Sequence, residues 1–501
     1  MIINKTLYPV PRNVAAISTM QKQMDGMLEQ LSSGKRYNTL AESGQDRLHS
    51  LNLRARLSRI EGYSQSIKTV ETRLSFQTNA LDRLSEIKAS AKGIADPGAL
   101  GNDGLTMAAS GGIAQNLLRE VVDVLNTDLV GRYVFSGNAS DTKPVATYDA
   151  LMHGDGVKAG FLDVRTERQM ADGVANGGRV DTDASGALVT LTEDGDHPFG
   201  LKISTVTGGT AGPADSASPA GARQALFDFS TRPAAGEEIT IGLTLPDDRS
   251  KTVYVTLKAT NETPPPAGRY LTSDDPATTA ANFRAALKTA TDDLSRTRLD
   301  AASTYAAADA FFTAPGEAVM RHDAGPPEAL VADTNHDRTV QWYRGQDVGP
   351  DANPRDTVST GIDESTRVGI GIQANERGIA ELVRGLAVFA VTDFSENNQD
   401  RAGQYEGLVA TQRDRLSSTR ASREGSIEMI AMEMGLASNT LDKVKSRHTQ
   451  YDAQLNTMLA GIEEAPVEEV AMMLMTLQTR LNASYQVTAM VSQLSLVNYL
   501  R

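Results

Sequence analysis

The sequence predicts a mainly α protein with an α+β, β-rich domain inserted at its centre and long terminal helices that form a coiled-coil-like bundle. Three observations predict it. Apolar residues recur at spacings of three and four near both ends, the central apolar period falls to two, and Gly, Pro, Asp and Thr crowd the region where the period changes. The expected division is 1–143 for an N-terminal helical region, 144–340 for a variable central domain, and 341–501 for a return segment and C-terminal helices.

The N-terminal seam runs through Ile60, Tyr63, Ile67, Val70 and Leu74, then Leu81 and Leu84, and after a slip through Ile87, Ala91 and Ile94. This is the 3.5-residue repeat of helices that pair. An earlier segment carries Met20, Met24, Met27 and Leu31 before Ser32-Ser33-Gly34-Lys35 interrupts it, so helix, turn and longer helix are expected. Asp96-Pro97-Gly98 stops the long helix, and a third stripe follows at Ile113, Leu117, Val121 and Val124.

The C-terminal seam has Leu441, Val444, Tyr451, Leu455, Met458 and Ile462, with His448 out of character within it. Ala465-Pro466 breaks it, and a second stripe follows at Val467, Val470, Leu474, Leu477 and Leu481, continuing weakly to Val491. Each such helix must bury its seam, and two sets at opposite ends do so most economically against each other.

In the centre, Ile239, Ile241, Leu243 and Leu245 alternate, Pro246-Asp247-Asp248-Arg249-Ser250 turns, and Val253, Val255 and Leu257 alternate again, which predicts a hairpin. A second hairpin is expected with Val189 and Leu191 on one strand and Phe199, Leu201 and Ile203 on the other. Thr263 to Gly268 reads as a stiff connector into an Ala-rich helix from about Thr278 to Phe312.

Composition narrows the function classes. The formal charge of -14 gives no electrostatic reason to approach nucleic acid or an anionic bilayer, so neither is an expected partner. Cysteine is absent, which excludes disulfides and thiolate chemistry. The start of the chain lacks the apolar run of about 7–15 residues of a cleaved signal, and no stretch of about 18 apolar residues occurs.

Catalytic and metal patterns find little support. The six histidines, His49, His153, His197, His322, His336 and His448, show no metal-binding spacing. Asp333-Thr334-Asn335-His336-Asp337 alternates oxygen ligands like a calcium loop, but Arg338 and Arg344 stand where Gly and Glu are needed, so an acidic loop is expected. Gly154 to Gly160 is one residue too long for a dinucleotide loop. Ser85 and Lys88 match a nucleophile pair only formally, inside the seam, and Ser32 to Lys35 lacks the first glycine of a phosphate loop. No catalytic, cofactor or metal residue is assigned. Met429, Met432 and Met434 with Met472, Met473 and Met475 suit either an adaptable partner surface or plain core filling.

Three segments carry a family resemblance. Leu28 to Asn38, with Leu31, Ser32, Ser33 and Gly34, looks like the N-terminal leucine, double-serine, glycine and base segment of the flagellin superfamily. Gly131-Arg132-Tyr133-Val134-Phe135-Ser136-Gly137 is similar to the stretch closing the N-terminal region of hook-filament junction proteins within that superfamily. Ser492 to Leu500, with Asn498, Tyr499 and Leu500, resembles the terminus of those junction proteins more than that of filament flagellin. Ala41-Glu42-Ser43-Gly44-Gln45-Asp46 departs from the acidic, Ala-Gly stretch usual in filament flagellins. Trp342 to Gly345 and Val368 to Asn375 also resemble family segments.

The resemblance implies a structural, non-enzymatic subunit of the bacterial flagellum. Its implied partners are copies of itself and other axial proteins, namely the hook-side junction protein and flagellin, with an export chaperone on the C-terminal helix. It implies export through the flagellar type III channel to an extracellular position, with terminal helices that order on assembly. Filament flagellin is the nearest alternative. A glycan-binding or hydrolytic module on a helical stalk and an intracellular coiled-coil scaffold are rivals from other classes.

Overall fold

The computed structural model describes residues 9–37, 39, 41–95, 105–208, 222–325, 328–349, 351–395, 399–417, 419–420 and 422–499, and side chains within them apart from those of 9–12, 105–106 and 492–499. Helices dominate, and a β-rich part lies in the middle of the chain. In chain order α1 (Pro9–Ser33), α2 (Asp46–Ile94) and α3 (Leu105–Leu125) come first, then a ribbon of β1 (Asp128–Leu129) and β2 (Arg132–Tyr133). Next are α4 (Tyr148–His153) and α5 (Phe161–Ala171), followed by β3 (Val180–Ser185), β4 (Leu188–Glu193), β5 (Lys202–Gly208), β6 (Gln224–Asp228), β7 (Glu238–Thr244), β8 (Thr252–Thr260) and β9 (Arg269–Leu271). α6 (Pro276–Leu294) passes through a π-helical turn, Ser295–Leu299, into α7 (Asp300–Phe311). The return segment holds β10 (Val319–Asp323), β11 (Ala329–Asp333), β12 (Ser359–Gly361), β13 (Arg367–Gly369), α8 (Arg377–Ala390) and α9 (Gln399–Arg415). The last helices are α10 (Ile427–Glu463) and α11 (Val467–Tyr499).

The chain divides into two compact units, one of residues 1–70, 361–367 and 439–501, the other of 71–360 and 368–438. The expected boundaries near 143 and 340 both fall inside the second unit. Strand-like pairing joins residues on either side of them there, between Ser136 and Gln373 and between Val145 and Tyr343.

In the first unit α1 packs on α11, with the Gln21 amide donating to the Tyr485 hydroxyl at 2.8 Å. The first part of α2 meets the last part of α10 in opposite direction, through Tyr63 stacked on His448 at 5.8 Å and Arg54 bonded to Glu463. α1 stops after Ser33 because Gly34 takes the left-handed backbone (φ 68) that L side chains avoid, and its N–H caps Gln30.

In the second unit two antiparallel-rich sheets, ordered β3-β4-β6 and β5-β7-β8-β9, bury one core with α6. Alternation sends Val189, Leu191, Ile239, Ile241, Leu243 and Leu257 inward, and Phe227, Phe229, Tyr270 and Phe283 meet with ring centres 4.9–5.9 Å apart. α6 begins where Asp275 accepts the Thr278 N–H at 3.1 Å, with Pro276 in its first turn.

Two local expectations are corrected. The β7-β8 hairpin forms, but the second hairpin does not: β4 pairs with β3 and β6, whereas β5 belongs to the other sheet beside β7. Gly186 (φ 61) reverses the chain between β3 and β4, and the Glu193 carboxylate, instead of a ladder, accepts the Ile203 N–H at 2.6 Å. The stripe on α3 is also rotated. Its buried face is Met107, Ala114, Leu118, Val121, Val122 and Leu125, while Ile113 is 45 % exposed. The close partner decides this, because α3 lies on α8 so tightly that a Cβ on Gly111 would stand 3.0 Å from the Thr392 carbonyl. Asp96-Pro97-Gly98 lies outside the described residues, and α2 ends at Ile94.

Candidate functional site

In the first unit the predicted seam residues differ in burial. Val70, Leu441, Val444, Leu477 and Leu481 are buried, together with Leu53, Val470 and His448. Ile67 is buried as well, Ile60, Leu455 and Leu474 are half-buried, and Met458 is 51 % exposed. Other apolar side chains are exposed, namely Leu28, Leu31, Tyr451, Val467, Met472 and Met475, of which Leu31, Tyr451 and Val467 belong to the predicted stripes. The Met-rich runs divide likewise, since Met434 is buried while Met432, Met472, Met473 and Met475 are exposed.

The Ser32-Ser33-Gly34 motif lies at a joint. Ser33 caps the Lys35 N–H at 3.2 Å, the Gly34 carbonyl accepts from Ala465 at 2.9 Å, and Arg36 donates to the Glu463 carbonyl at 2.7 Å. The turn after α1 is therefore laced to the break between α10 and α11. Glu463 adds side-chain bonds from Ser50 and Arg54, and the Arg54 hydrogen bond holds its carboxyl below the usual range.

The tip of the β12-β13 hairpin is clamped in the same unit. His448 donates to the Ile362 carbonyl at 2.9 Å, Arg447 pairs with Asp363, and Arg59 pairs with Glu364. The donor assignment follows because a carbonyl only accepts. Burial works upward on Asp363, yet the Glu364 N–H and Arg447 bring its carboxyl below the ordinary value.

In the second unit Leu74, Leu81, Leu84, Ile87, Ala91 and Ile94 of α2 are all buried. The gap between Leu74 and Leu81 is filled by Gln77, fully buried, whose amide donates to the Ile370 carbonyl at 2.7 Å. Ser85 lies mid-helix, and Lys88 is committed to Glu428 at 2.7 Å.

Two segments singled out in the sequence, 131–137 and 368–375, meet in this unit, beside Gln346, which follows the third, Trp342 to Gly345. Gly131 (φ 75) and Val130 (φ 55) form the two-residue turn between β1 and β2, and the Asp128 carboxylate accepts the Gly131 N–H at 2.8 Å. Arg132 bonds the Ser140 hydroxyl, and the Tyr133 N–H donates to the Ser140 carbonyl. Beyond them the Phe135 carbonyl accepts from Ala374, the Gly137 N–H donates to Ile372, and the Ser136 carbonyl accepts from Gln346. Gly137 (φ 62) has the Gln346 and Gln373 side chains against the place of a Cβ, so glycine is needed for both reasons. Trp342 is buried and bonds the Thr313 carbonyl at 3.1 Å.

Beneath this joint lies a buried ion pair, Arg355 with Glu376. Arg355 also donates to the Gly371 carbonyl at 2.5 Å and faces Glu433 at 3.0 Å, while Glu376 accepts the Gln373 N–H at 3.0 Å. Burial pushes the Glu376 carboxyl up against the pull of Arg355. Sequence reading missed this pair, and its one trace was two charged residues flanking a glycine-rich apolar segment.

Among the described residues no group of three or more His, Asp or Glu is placed to hold a metal ion. Asp333 instead accepts the N–H groups of Asp337 and Arg338, closing its own loop. Asp155 does the same for Val157 and Lys158 in the Gly154 to Gly160 loop. No described helix is long and apolar enough to cross a membrane. Asn498 and Tyr499 end α11 with undescribed side chains, and Leu500 lies outside the described residues. No protein-family model matches the chain, and no curated protein matches it.

Proposed function

We propose that this chain is a structural, non-enzymatic subunit of the bacterial flagellum that joins hook to filament through its terminal helices. The observation that carries the reading is the packing of α1 on α11, while Leu28, Leu31, Val467, Met472 and Met475 stay exposed on the same two helices. A helix pair with a buried seam and exposed apolar side chains gains further stability when neighbours cover the latter. Copies of this chain, the hook-side junction protein and flagellin would supply those faces in a coiled-coil-like bundle. Before assembly an export chaperone would cover the exposed methionines of α11.

The family-like motifs support the reading through their use. The serine-glycine segment is the turn laced to the α10–α11 break, and the Gly131 to Gly137 segment bonds to the Val368 to Asn375 segment. The β-rich core would face outward as the variable domain.

The test is to probe sheared flagella and culture supernatant for the chain and to label intact flagella with immunogold. A band at the filament base is expected. Label along the whole filament would reassign the chain to filament flagellin, and retention in the cytoplasm would sink both in favour of a scaffold.

A further inference from the structure

The outer face of the sheet β5-β7-β8 has a chemistry unrelated to helix pairing. Ile239, Ile241 and Leu257 point into the core, so alternation sends Thr240 and Gly242 outward, opposite Thr256 and Tyr254 of β8. On the edge strand β5, Thr205 and Thr207 stand across from Gly242 and Thr240. Thr205, Thr207 and Thr256 are exposed, and the Thr240 and Thr256 hydroxyls bond at 3.0 Å.

Tyr254 lies among these hydroxyls and is 63 % exposed. A Cβ on Gly242 would run into the Thr205 hydroxyl and the Thr252 methyl and stand 3.2 Å from Tyr254 Cε1, so the missing side chain makes room for all three. Covering a glycine explains why the ring lies there. It does not explain why the ring is surrounded by hydroxyls at exposed positions.

Charge and polarity select the ligand. The cations at the borders of the face are engaged, Lys258 with Glu238 at 2.5 Å and Lys202 with Glu193 at 3.3 Å, which leaves little for a polyanion or an anionic bilayer. The centre of a protein interface is apolar and aromatic with arginine, not a row of threonines. A neutral sugar has an apolar C–H face to lay on an aromatic ring and hydroxyls that exchange hydrogen bonds with threonine. We propose that this face binds a neutral oligosaccharide, with one pyranose ring stacked on Tyr254 and its hydroxyls bonded to Thr205, Thr207 and Thr256. This site is independent of the flagellar reading.

The experiment is saturation-transfer NMR on the full chain with cellohexaose, chitohexaose, maltohexaose and mannohexaose, and with oligogalacturonate as the acidic control. Saturable transfer to the C–H protons of at least one neutral sugar is expected. Tyr254→Phe keeps affinity within about threefold, while Tyr254→Ala and Thr207→Arg each weaken it at least about tenfold. Thr207→Arg leaves the ring on Gly242, so its loss cannot come from an uncovered glycine, and the fluorescence of buried Trp342 monitors the fold. Absence of saturable binding by all four neutral sugars, unchanged affinity in Tyr254→Ala, or binding of the acidic control alone would overturn the proposal.

Discussion

Arg54 on α2 grips Glu463 at the end of α10 at two points, Nε to Oε1 at 2.9 Å and Nη2 to Oε2 at 2.6 Å. Ser50 donates to the same carboxylate, and the Glu463 carbonyl accepts from Arg36, so one residue ties α2, the turn after α1 and the end of α10.

That arrangement has a pH signature. Because the Arg54 hydrogen bond lowers the folded pKa of Glu463, its contribution is present above the unfolded value of about 4.3 and is lost as pH falls through the folded value. The pair is partly exposed, which limits the effect to about 1 kcal/mol. Denaturation followed by circular dichroism between pH 7 and pH 3 should show this loss, and Glu463→Gln should remove that part of the pH dependence. An unchanged profile in the variant would count against the assignment.

Removing Arg355 should be far more costly. Arg355→Ala leaves Glu376 buried without its cation and frees the Gly371 carbonyl, an expected loss of about 3–5 kcal/mol. Denaturant titration read by Trp342 fluorescence measures it. A loss below 1 kcal/mol, against that ~3–5 kcal/mol, would show that the pair is not buried as described.

Gly371 tests the same joint sterically. A Cβ there would run into the Thr357 hydroxyl and the Pro354 carbonyl, one of them backbone that cannot rotate away. Gly371→Ala should therefore destabilise by about 1–3 kcal/mol. Gly461→Ala, where a Cβ meets nothing within 4 Å, is the control, with no loss expected from packing.

On the proposed function, Leu481→Asp and Leu474→Asp should abolish incorporation into flagella. Leu481 is 7 % exposed, and an unpaired carboxylate there is costly to desolvate. Trp342 fluorescence should stay native in both variants. Incorporation at the wild-type level would remove the seam from the assembly mechanism.

Much of the helical layout is legible in the sequence because it is local. The repeat through Ile67, Leu74, Leu81 and Leu84 needs only a 3.6-residue geometry to place those side chains on one side, and Gly34 needs only its own positive φ to end α1. The β7-β8 hairpin is legible for the same reason, its strands and turn being contiguous. Gln77 was hidden in the seam because its polarity disguises a position that the Ile370 carbonyl makes compatible with burial.

The sequence by itself determined that long helices with apolar stripes lie near both ends, and that the centre holds strands, because these follow from spacing within a few residues. Only the tertiary structure decided which sheet receives Val189 and Ile203, which side of α3 turns inward, and that Gly137, Gln346 and Ile372 meet. Those outcomes depend on competing partners tens to hundreds of residues apart, where packing and hydrogen-bond satisfaction, not local period, choose among faces of similar polarity.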